Sequence, residues 1–137
     1  MSDDDSTAIL HAFLRAVSFP AGGHPDYPQI AELFRPEAQL VRCSGPEPES
    51  LGVSAFIHER QQAFDRGDLT WFHEEEREGQ TEFFGRVAQR RSVYTKAGSR
   101  AGVPFATTGV IFTHFTRGDR TGWRIASMIW DDEPTHS

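Results

Sequence analysis

The last third of the chain, residues 102–133, carries two apolar-rich segments separated by a run of turn-forming residues. Bulky strand-favouring side chains fill both segments, namely Val110, Ile111, Phe112 and Phe115 before the turn and Trp123, Ile125, Ile129 and Trp130 after it. Gly118, Asp119 and Gly122 lie between them, and such residues between apolar runs predict a β-hairpin. Because both strands carry bulky groups on both faces, each face needs a cover. We therefore expect helices on one face and a second copy of the chain on the other.

The N-terminal half has a helical pattern. Ser6 or Thr7 is predicted to cap a first helix that runs to about Phe19 and ends at the proline- and glycine-rich run 20–25. Its apolar stripe consists of Ile9, Phe13, Leu14 and Val17. The following predicted elements are a short helix after Asp26 that Pro36 closes, a strand at 38–43, a loop at 44–49 and a third helix from Val53 or Ser54 to Arg66.

From Leu69 the apolar period becomes two, which is typical of strands. Strands are predicted at 70–77 and 82–96 around a turn near 78–80, with a further turn at 97–102 before the hairpin. The predicted order is thus helix, helix, strand, helix and four antiparallel strands. This order indicates an α+β fold with helices packed on one face of a curved sheet.

Composition favours one globular domain. The chain has 137 residues, of which 37% are hydrophobic, so we assign residues 7–132 to the domain and 1–6 and 133–137 to flexible tails. A net charge of −6 argues against nucleic acid and anionic membranes as partners. Cys43 is the only cysteine, no histidine pair has metal-ligand spacing, and no signal peptide is apparent. We expect a cytoplasmic protein without cofactor or metal.

Four segments together resemble the nuclear transport factor 2-like (NTF2-like) superfamily, and its SnoaL-like branch of small bacterial proteins in particular. They are the helix-to-strand entry at 30–41, the start of the third helix at 53–57, and strand segments at 85–94 and 122–131. The resemblance covers about residues 7–132. It implies three N-terminal helices on a curved, mainly antiparallel sheet that encloses a conical pocket, and commonly a homodimer through the outer face of the sheet. Because the superfamily includes enzymes, binders, assembly domains and transport factors, the fold does not decide the function.

The residues argue against ketosteroid isomerase, the best-defined activity that the resemblance brings. That chemistry needs a carboxylate base together with a tyrosine and a protonated aspartate as oxyanion donors. Matched by segment, the tyrosine falls near Phe13, the base near Arg42 or Cys43, and the aspartate within 109–112, which contains no acid. All three positions lack the required group.

The densest titratable cluster is His73 with the three glutamates that follow it. Alternation could turn Glu75 inward beside His73, where it would serve as a catalytic base. The alternative, which we favour, is a solvated edge-strand run at residues 74–78 with cross-strand partners among Arg86, Arg90 and Arg91.

Arg60 shares the apolar face of the third helix with Ile57 and Phe64. Its side chain could lie along the core and carry its charge out to water. Alternatively, it could point into the cone and hold an anionic ligand together with Arg42. The sequence leaves these two readings equal.

The remaining pocket candidates come from the parity of the strands. Met128 and Trp130 share one parity of the last strand, which the family comparison turns toward the pocket, and Asp132 follows in the same phase. Register cannot be fixed from the sequence, because a slip of one residue inverts every face. The predicted pocket lining is Phe13, Arg42, Phe56, Arg60, Gln89, Met128 and Trp130.

Three functions follow from these patterns. The first is a homodimeric small-molecule-binding domain of the SnoaL-like type, with or without catalysis, whose ligand is organic and for which an anion is one candidate. The second is an interaction module whose cone is filled by aromatic side chains. The third is an enzyme whose base is His73 or a glutamate of residues 74–76. An empty, polar-lined pocket would argue against the second, and a filled cone against the first.

Overall fold

A computed structural model describes residues 3–133 of the chain. Its elements in chain order are α1 (Asp3–Val17), a 3-10 helix (Tyr27–Leu33), β1 (Phe34–Arg42), β2 (Glu49–Gly52), α2 (Val53–Asp65), β3 (Leu69–Phe84), β4 (Val87–Arg100), β5 (Val103–Gly118) and β6 (Gly122–Asp132). The predicted α+β class and the C-terminal hairpin, now β5 and β6, are confirmed.

The six strands form one sheet in the order β2-β1-β6-β5-β4-β3. All neighbours are antiparallel except β1 and β6, which run parallel. Both α-helices lie on one side of this curved sheet, and the buried core fills the space between. The core is built from the apolar stripe of α1 and the inward residues of β4, β5 and β6, as alternation along strands requires.

The helix count differs in detail from the expectation of three N-terminal helices. The second helix is a 3-10 helix of seven residues, with Pro28 in its first turn and Tyr27 and Ile30 buried. The third helix, α2, follows two strands. The predicted loop also ends earlier than expected, because Glu49–Gly52 pairs with β1 as a short edge strand.

The turn predicted near 78–80 is wrong. There β3 contains a bulge between Glu76 and Glu78 and continues to Phe84, and the actual turn is at Gly85, whose φ of 57° suits glycine. Gly79 lies inside the strand for a packing reason, since a Cβ there would collide with the side chains of Glu76 and Arg90. A glycine that permits close approach was therefore mistaken for a turn glycine.

The predicted N-terminal tail is partly helical, because residues 3–6 belong to α1. Residues 1–2 and 134–137 lie outside the described residues, so the tail prediction there is not addressed. At the other end, the backbone N–H of Glu133 donates a hydrogen bond to the carbonyl of Thr108. No helix within residues 3–133 is both long and apolar enough to cross a bilayer.

Candidate functional site

A half-open cleft of about 1140 Å³ lies between α2 and one end of the sheet. Its walls come from five places: the end of β1, the second half of α2, Phe72 of β3, the β4–β5 hairpin and the last residues of β6. We call this space the mouth cleft; its lining includes Arg42, Glu59, Arg60, Phe72, Lys96, Arg100, Phe105, Thr107, Trp130 and Asp132. A volume of this order is in the range of small-molecule sites.

Behind the mouth cleft the cone is nearly filled. Only about 20 Å³ remains between Phe13, Phe56, Ile111 and Met128, beside the inner ends of the cleft-lining side chains. The ring of Phe56 contacts Phe13 at 6.0 Å and Trp130 at 6.5 Å between centroids. The aromatic side chains therefore close the cone at depth and leave the open space at its mouth.

Arg60 projects from α2 to the boundary between the filled region and the mouth cleft. Its guanidinium carbon lies 4.8 Å from the centroid of Phe72 and 5.3 Å from that of Phe56, which are cation–π distances. Its Nε is sealed from solvent and has no hydrogen-bond partner within the described chain. Burial lowers the pKa of Arg60, and the charge of Glu74 partly opposes this effect. The guanidinium thus faces the mouth cleft beside the rings of Phe56 and Phe72, and its Nε is sealed from solvent.

Glu74 points into the same region from β3, directly across from Lys96 on β4. Burial raises the pKa of the Glu74 carboxyl, while the positive charges of Lys96 and Arg60 oppose this rise. No side-chain hydrogen bond to this carboxyl is formed by residues 3–133. A half-buried carboxyl with a raised pKa and no fixed partner is a typical proton-binding group.

Asp132 is held in place where β6 reaches the mouth cleft. The hydroxyl of Tyr94 donates a hydrogen bond to its Oδ1, and Nζ of Lys96 lies 2.9 Å from the same oxygen. Burial raises the pKa of Tyr94, and the hydrogen bond to Asp132 raises it further, so the phenol remains a donor. Oδ1 of Asp132 therefore has two fixed partners, in contrast to the carboxyl oxygens of Glu74.

The structure brings together most of the predicted pocket residues. Phe13, Phe56 and Met128 line the filled part of the cone, and Trp130 borders both regions. Arg42 lines the mouth cleft, but its guanidinium is engaged by Glu49 and Glu59 at 3.0 and 3.1 Å. The expected pairing of Arg42 with Arg60 around one ligand thus requires Arg42 to leave two carboxylates.

Three predicted residues lie on the opposite face of the sheet. The side chains of His73 and Glu75 are 62% and 56% exposed and pair with each other at 3.6 Å on the outer face of β3. Gln89 is also exposed and hydrogen-bonds His114 on that face. The less favoured alternative of an inward Glu75 is wrong by one residue, because Glu74 has the inward parity. The favoured solvated run holds for His73 and Glu75, and Arg90 is the cross-strand partner of Glu76. The predicted pocket position of Gln89 is wrong for the same reason of parity.

Sequence reasoning missed Lys96 and did not single out Glu74 within its cluster. Pairing β3 with β4 in the observed register would have found both, since Phe72 opposite Gly98 sets Glu74 opposite Lys96. Among residues 3–133, no group of three His, Cys, Asp or Glu side chains could hold a metal ion.

A second buried polar cluster ties α1 to the sheet away from the mouth cleft. Arg90 donates to both carboxylate oxygens of Glu76 at 2.9 and 2.8 Å, and to Thr81 at 2.6 Å. His11 of α1 lies 3.0 Å from the same carboxylate. Burial opposes the ionisation of Glu76, but the hydrogen bonds from Arg90 and its neighbours outweigh it and lower the pKa to about 2. The arrangement is structural, since its charges satisfy one another.

Helices on one face of a six-stranded curved sheet, with a cone opening between them, define an α+β roll. Solved structures show that this roll is the fold of the NTF2-like superfamily. An NTF2-like superfamily protein from Salmonella enterica serovar Typhimurium superposes with a TM-score of 0.77 over 98% of this chain and 92% of its own, at 16% identity. An NTF2-like protein of unknown function from Prochlorococcus gives a TM-score of 0.76 over 99% and 97%, at 17% identity.

A proposed dehydratase of the NTF2-like family from Streptomyces avermitilis has a TM-score of 0.73 and 15% identity, over 96% of each chain. At the level of sequence, no family model and no curated protein matches this chain. The resemblance noted from the sequence is therefore confirmed for the fold, whereas the SnoaL-like branch stays a prediction.

Proposed function

We propose that the protein binds a small organic anion with an apolar body in the mouth cleft, and that Arg60 is its principal contact. The observation that carries the proposal is the buried Nε of Arg60, which has no hydrogen-bond partner among residues 3–133. A buried donor without an acceptor is costly, and an incoming acceptor removes that cost. A carboxylate ligand would supply the missing acceptors through charge-assisted hydrogen bonds.

The charges around the mouth cleft support an anion in preference to a cation. Arg42, Arg66 and Lys96 each have a carboxylate within 3.1 Å. By contrast, no ion pair to Arg60 or Arg100 is formed by the part of the chain that the structure describes. Arg60 and Arg100 are thus cations of the lining without a carboxylate partner in this part of the chain. The carboxylates of the lining that form no ion pair within residues 3–133, Asp131 and Glu133, are exposed, whereas Arg60 reaches the inner gap.

The apolar part of the ligand would lie against aromatic rings. Phe72, Phe105 and Trp130 line the mouth cleft, and the rings of Phe72 and Phe105 lie 6.2 Å apart. Flat rings beside one charged group form a site that recognises an amphipathic molecule such as an aryl or alkyl carboxylate. The Streptomyces neighbour is a proposed dehydratase. By analogy of fold alone, dehydration of such a ligand is one reaction that the mouth cleft could catalyse. Ketosteroid isomerisation is not part of the proposal, because Phe13 supplies no hydroxyl.

Binding of a carboxylate series tests the proposal. Acetate, phenylacetate, naphthylacetate and decanoate would be titrated while the fluorescence of Trp130 is followed, with the neutral phenylacetamide as a control ligand. We expect the larger carboxylates to bind and the amide to bind much more weakly. Arg60→Gln should weaken binding about 10- to 100-fold, since hydrogen bonds to charged groups contribute about 1.5–3 kcal/mol.

Arg66→Gln is the matched control, because Arg66 also lines the mouth cleft but is engaged by Asp68 at 2.8 Å. The proposal fails if none of the carboxylates binds at millimolar concentration, or if the two arginine variants weaken binding equally. A Trp130→Phe variant identifies the fluorescence signal, since Trp71 and Trp123 lie outside the cleft lining.

We further propose that the outer face of the sheet forms a homodimer. The supporting observation is an apolar patch at its centre, where Phe112 and Ile129 are register partners and remain 39% and 40% exposed. Exposed apolar patches on a sheet mark association surfaces. The same patch and the filled depth of the cone also support the alternative of an interaction module that binds no ligand in its cone. Binding of a carboxylate in the mouth cleft would exclude this alternative.

Sedimentation of a charged variant tests the dimer. Phe112→Asp should produce monomers at micromolar concentration, because two such charges would be buried together at a symmetric interface. Phe84→Asp is the control, since Phe84 is 84% exposed at the tip of the β3–β4 hairpin. A wild-type monomer at micromolar concentration would contradict the proposal.

A further inference from the structure

We infer that the anion enters the mouth cleft together with one proton, and that Glu74 carries this proton. The inference rests on the proposed function, because it concerns the same ligand and the same site. It assigns Glu74 as a ligand-contacting group and makes the affinity of the site depend on pH.

The first argument is the position of Glu74. Its side chain borders the small gap behind the mouth cleft together with Arg60 and Lys96. A ligand carboxylate that reaches Arg60 therefore comes close to a second carboxyl group. Two carboxylates in one desolvated site repel each other strongly unless one of them is protonated.

The second argument is the charge balance of the groups that face Glu74. The helix α2 supplies Arg60, β4 supplies Lys96 and the neutral phenol of Tyr94, and β6 supplies Asp132. With Glu74 ionised, the two cations that face it balance the two carboxylates of this inner cluster. An incoming monoanion would then leave one uncompensated negative charge away from water, whereas protonation of Glu74 restores neutrality.

The third argument is the different engagement of the two carboxyl groups. Asp132 accepts a hydrogen bond from Tyr94 and lies 2.9 Å from Nζ of Lys96, so its Oδ1 already has two fixed partners. No hydrogen bond from residues 3–133 fixes the Glu74 carboxyl. When protonated, Glu74 has an O–H group that can donate to a ligand oxygen. Glu74 is thus the carboxyl group whose oxygens have no fixed partner, and we assign the proton to it.

The direction of the pH dependence follows from linkage. Burial already raises the pKa of Glu74 above its ordinary value, in opposition to Lys96 and Arg60, and a bound anion raises it further. Below the pKa of the free protein the affinity is highest and constant. Between the free and bound pKa values it falls up to tenfold for each pH unit, and above the bound pKa it is constant again.

Calorimetry of phenylacetate binding tests the inference. Titrations in two buffers with different ionisation enthalpies, repeated from about pH 5 to about pH 9, count the protons taken up on binding. We expect the wild-type protein to take up close to one proton per ligand in part of this range. Because Glu74→Gln resembles the protonated form, it should bind with the high-affinity constant, take up no proton and lose the pH dependence.

Glu75→Gln is the matched control, since the neighbouring residue lies on the outer face of the sheet and should leave proton uptake unchanged. Binding without proton uptake in the wild-type protein, or equal uptake in Glu74→Gln, overturns the inference and leaves the proposed function standing. Failure of the whole carboxylate series to bind refutes the proposed function and the inference with it. The wild-type measurement decides the matter even if Glu74→Gln does not fold.

Discussion

Replacement of Glu76 by glutamine should destabilise the protein strongly at neutral pH and much less in acid. The side chains of Glu76 and Arg90 are both only 5% exposed and form a bidentate ion pair, which His11 joins from α1. Glu76→Gln removes the negative charge and keeps the shape of the side chain. It leaves the guanidinium of Arg90 buried without a counter-charge from Glu76, which is the costly way to break such a pair.

The magnitude follows from the pKa of Glu76, which falls from 4.5 to about 2 on folding. At about 1.4 kcal/mol for each pKa unit, ionised Glu76 stabilises the fold by about 3 kcal/mol at pH 7. A group with a lowered pKa contributes fully above its unfolded value and loses this contribution as pH falls. At about pH 3 the stabilisation by ionised Glu76 is about 1.5 kcal/mol, and most of this remainder is lost by about pH 2.

Urea unfolding at about pH 7, 5 and 3 measures this effect. The difference in unfolding free energy between wild type and Glu76→Gln should shrink from about 3 kcal/mol at pH 7 to about half of that at pH 3. Glu82→Gln, an exposed change on the same strand, should differ little from wild type at every pH. A difference for Glu76→Gln that stays constant with pH would refute the reasoning, because it would come from packing and not from the charge.

Two further predictions concern the tight packing around Gly109 and the hydrogen bonds by which Arg35 links β1 to β5. Gly109→Ala should lower the free energy of unfolding in urea by about 2–3 kcal/mol, because the new Cβ would collide with the Tyr94 hydroxyl and a neighbouring carbonyl. Gly52→Ala is the control and should be tolerated, since a Cβ at that position meets no atom within 4 Å. Arg35→Ala should cost about 1–2 kcal/mol, because its guanidinium donates to the hydroxyl and the carbonyl of Thr116 at 2.8 and 2.9 Å and so ties β1 to β5. Unchanged unfolding curves for Gly109→Ala or Arg35→Ala would contradict the corresponding prediction.

The fold was predictable because its signals are local. The stripe of α1 and the apolar runs around the Gly118–Gly122 turn place the helices and the hairpin without knowledge of the rest of the chain. The positions that were predicted wrongly depend on contacts between residues distant in the sequence. Gly79 was taken for a turn residue because its reason for being glycine is the side chain of Arg90 on the next strand.

The inward and outward assignments succeeded or failed according to strand register. Met128 and Trp130 were placed correctly only through the family comparison. Gln89 and Glu75 were each assigned one residue away from an inward neighbour, Arg90 and Glu74 respectively. Alternation gives two possible faces for a strand, and only its pairing with a neighbour selects one. The charged residues of the site are the ones this ambiguity affects most, because a charged side chain by itself favours the exposed face and so argues against an inward position.

The site depends on an irregularity of β6 that no periodic pattern contains. Trp123 and Ile125 point into the core, and strict alternation from them would turn Trp130 outward. The register instead shifts between β5 and β6, with Phe115 opposite Ile125 and His114 opposite Ser127, so that one extra residue is accommodated. Beyond this bulge the even-numbered residues point inward, which brings Trp130 and then Asp132 to the mouth cleft. The same strand therefore closes the core at one end and supplies an aromatic wall and a carboxylate at the other.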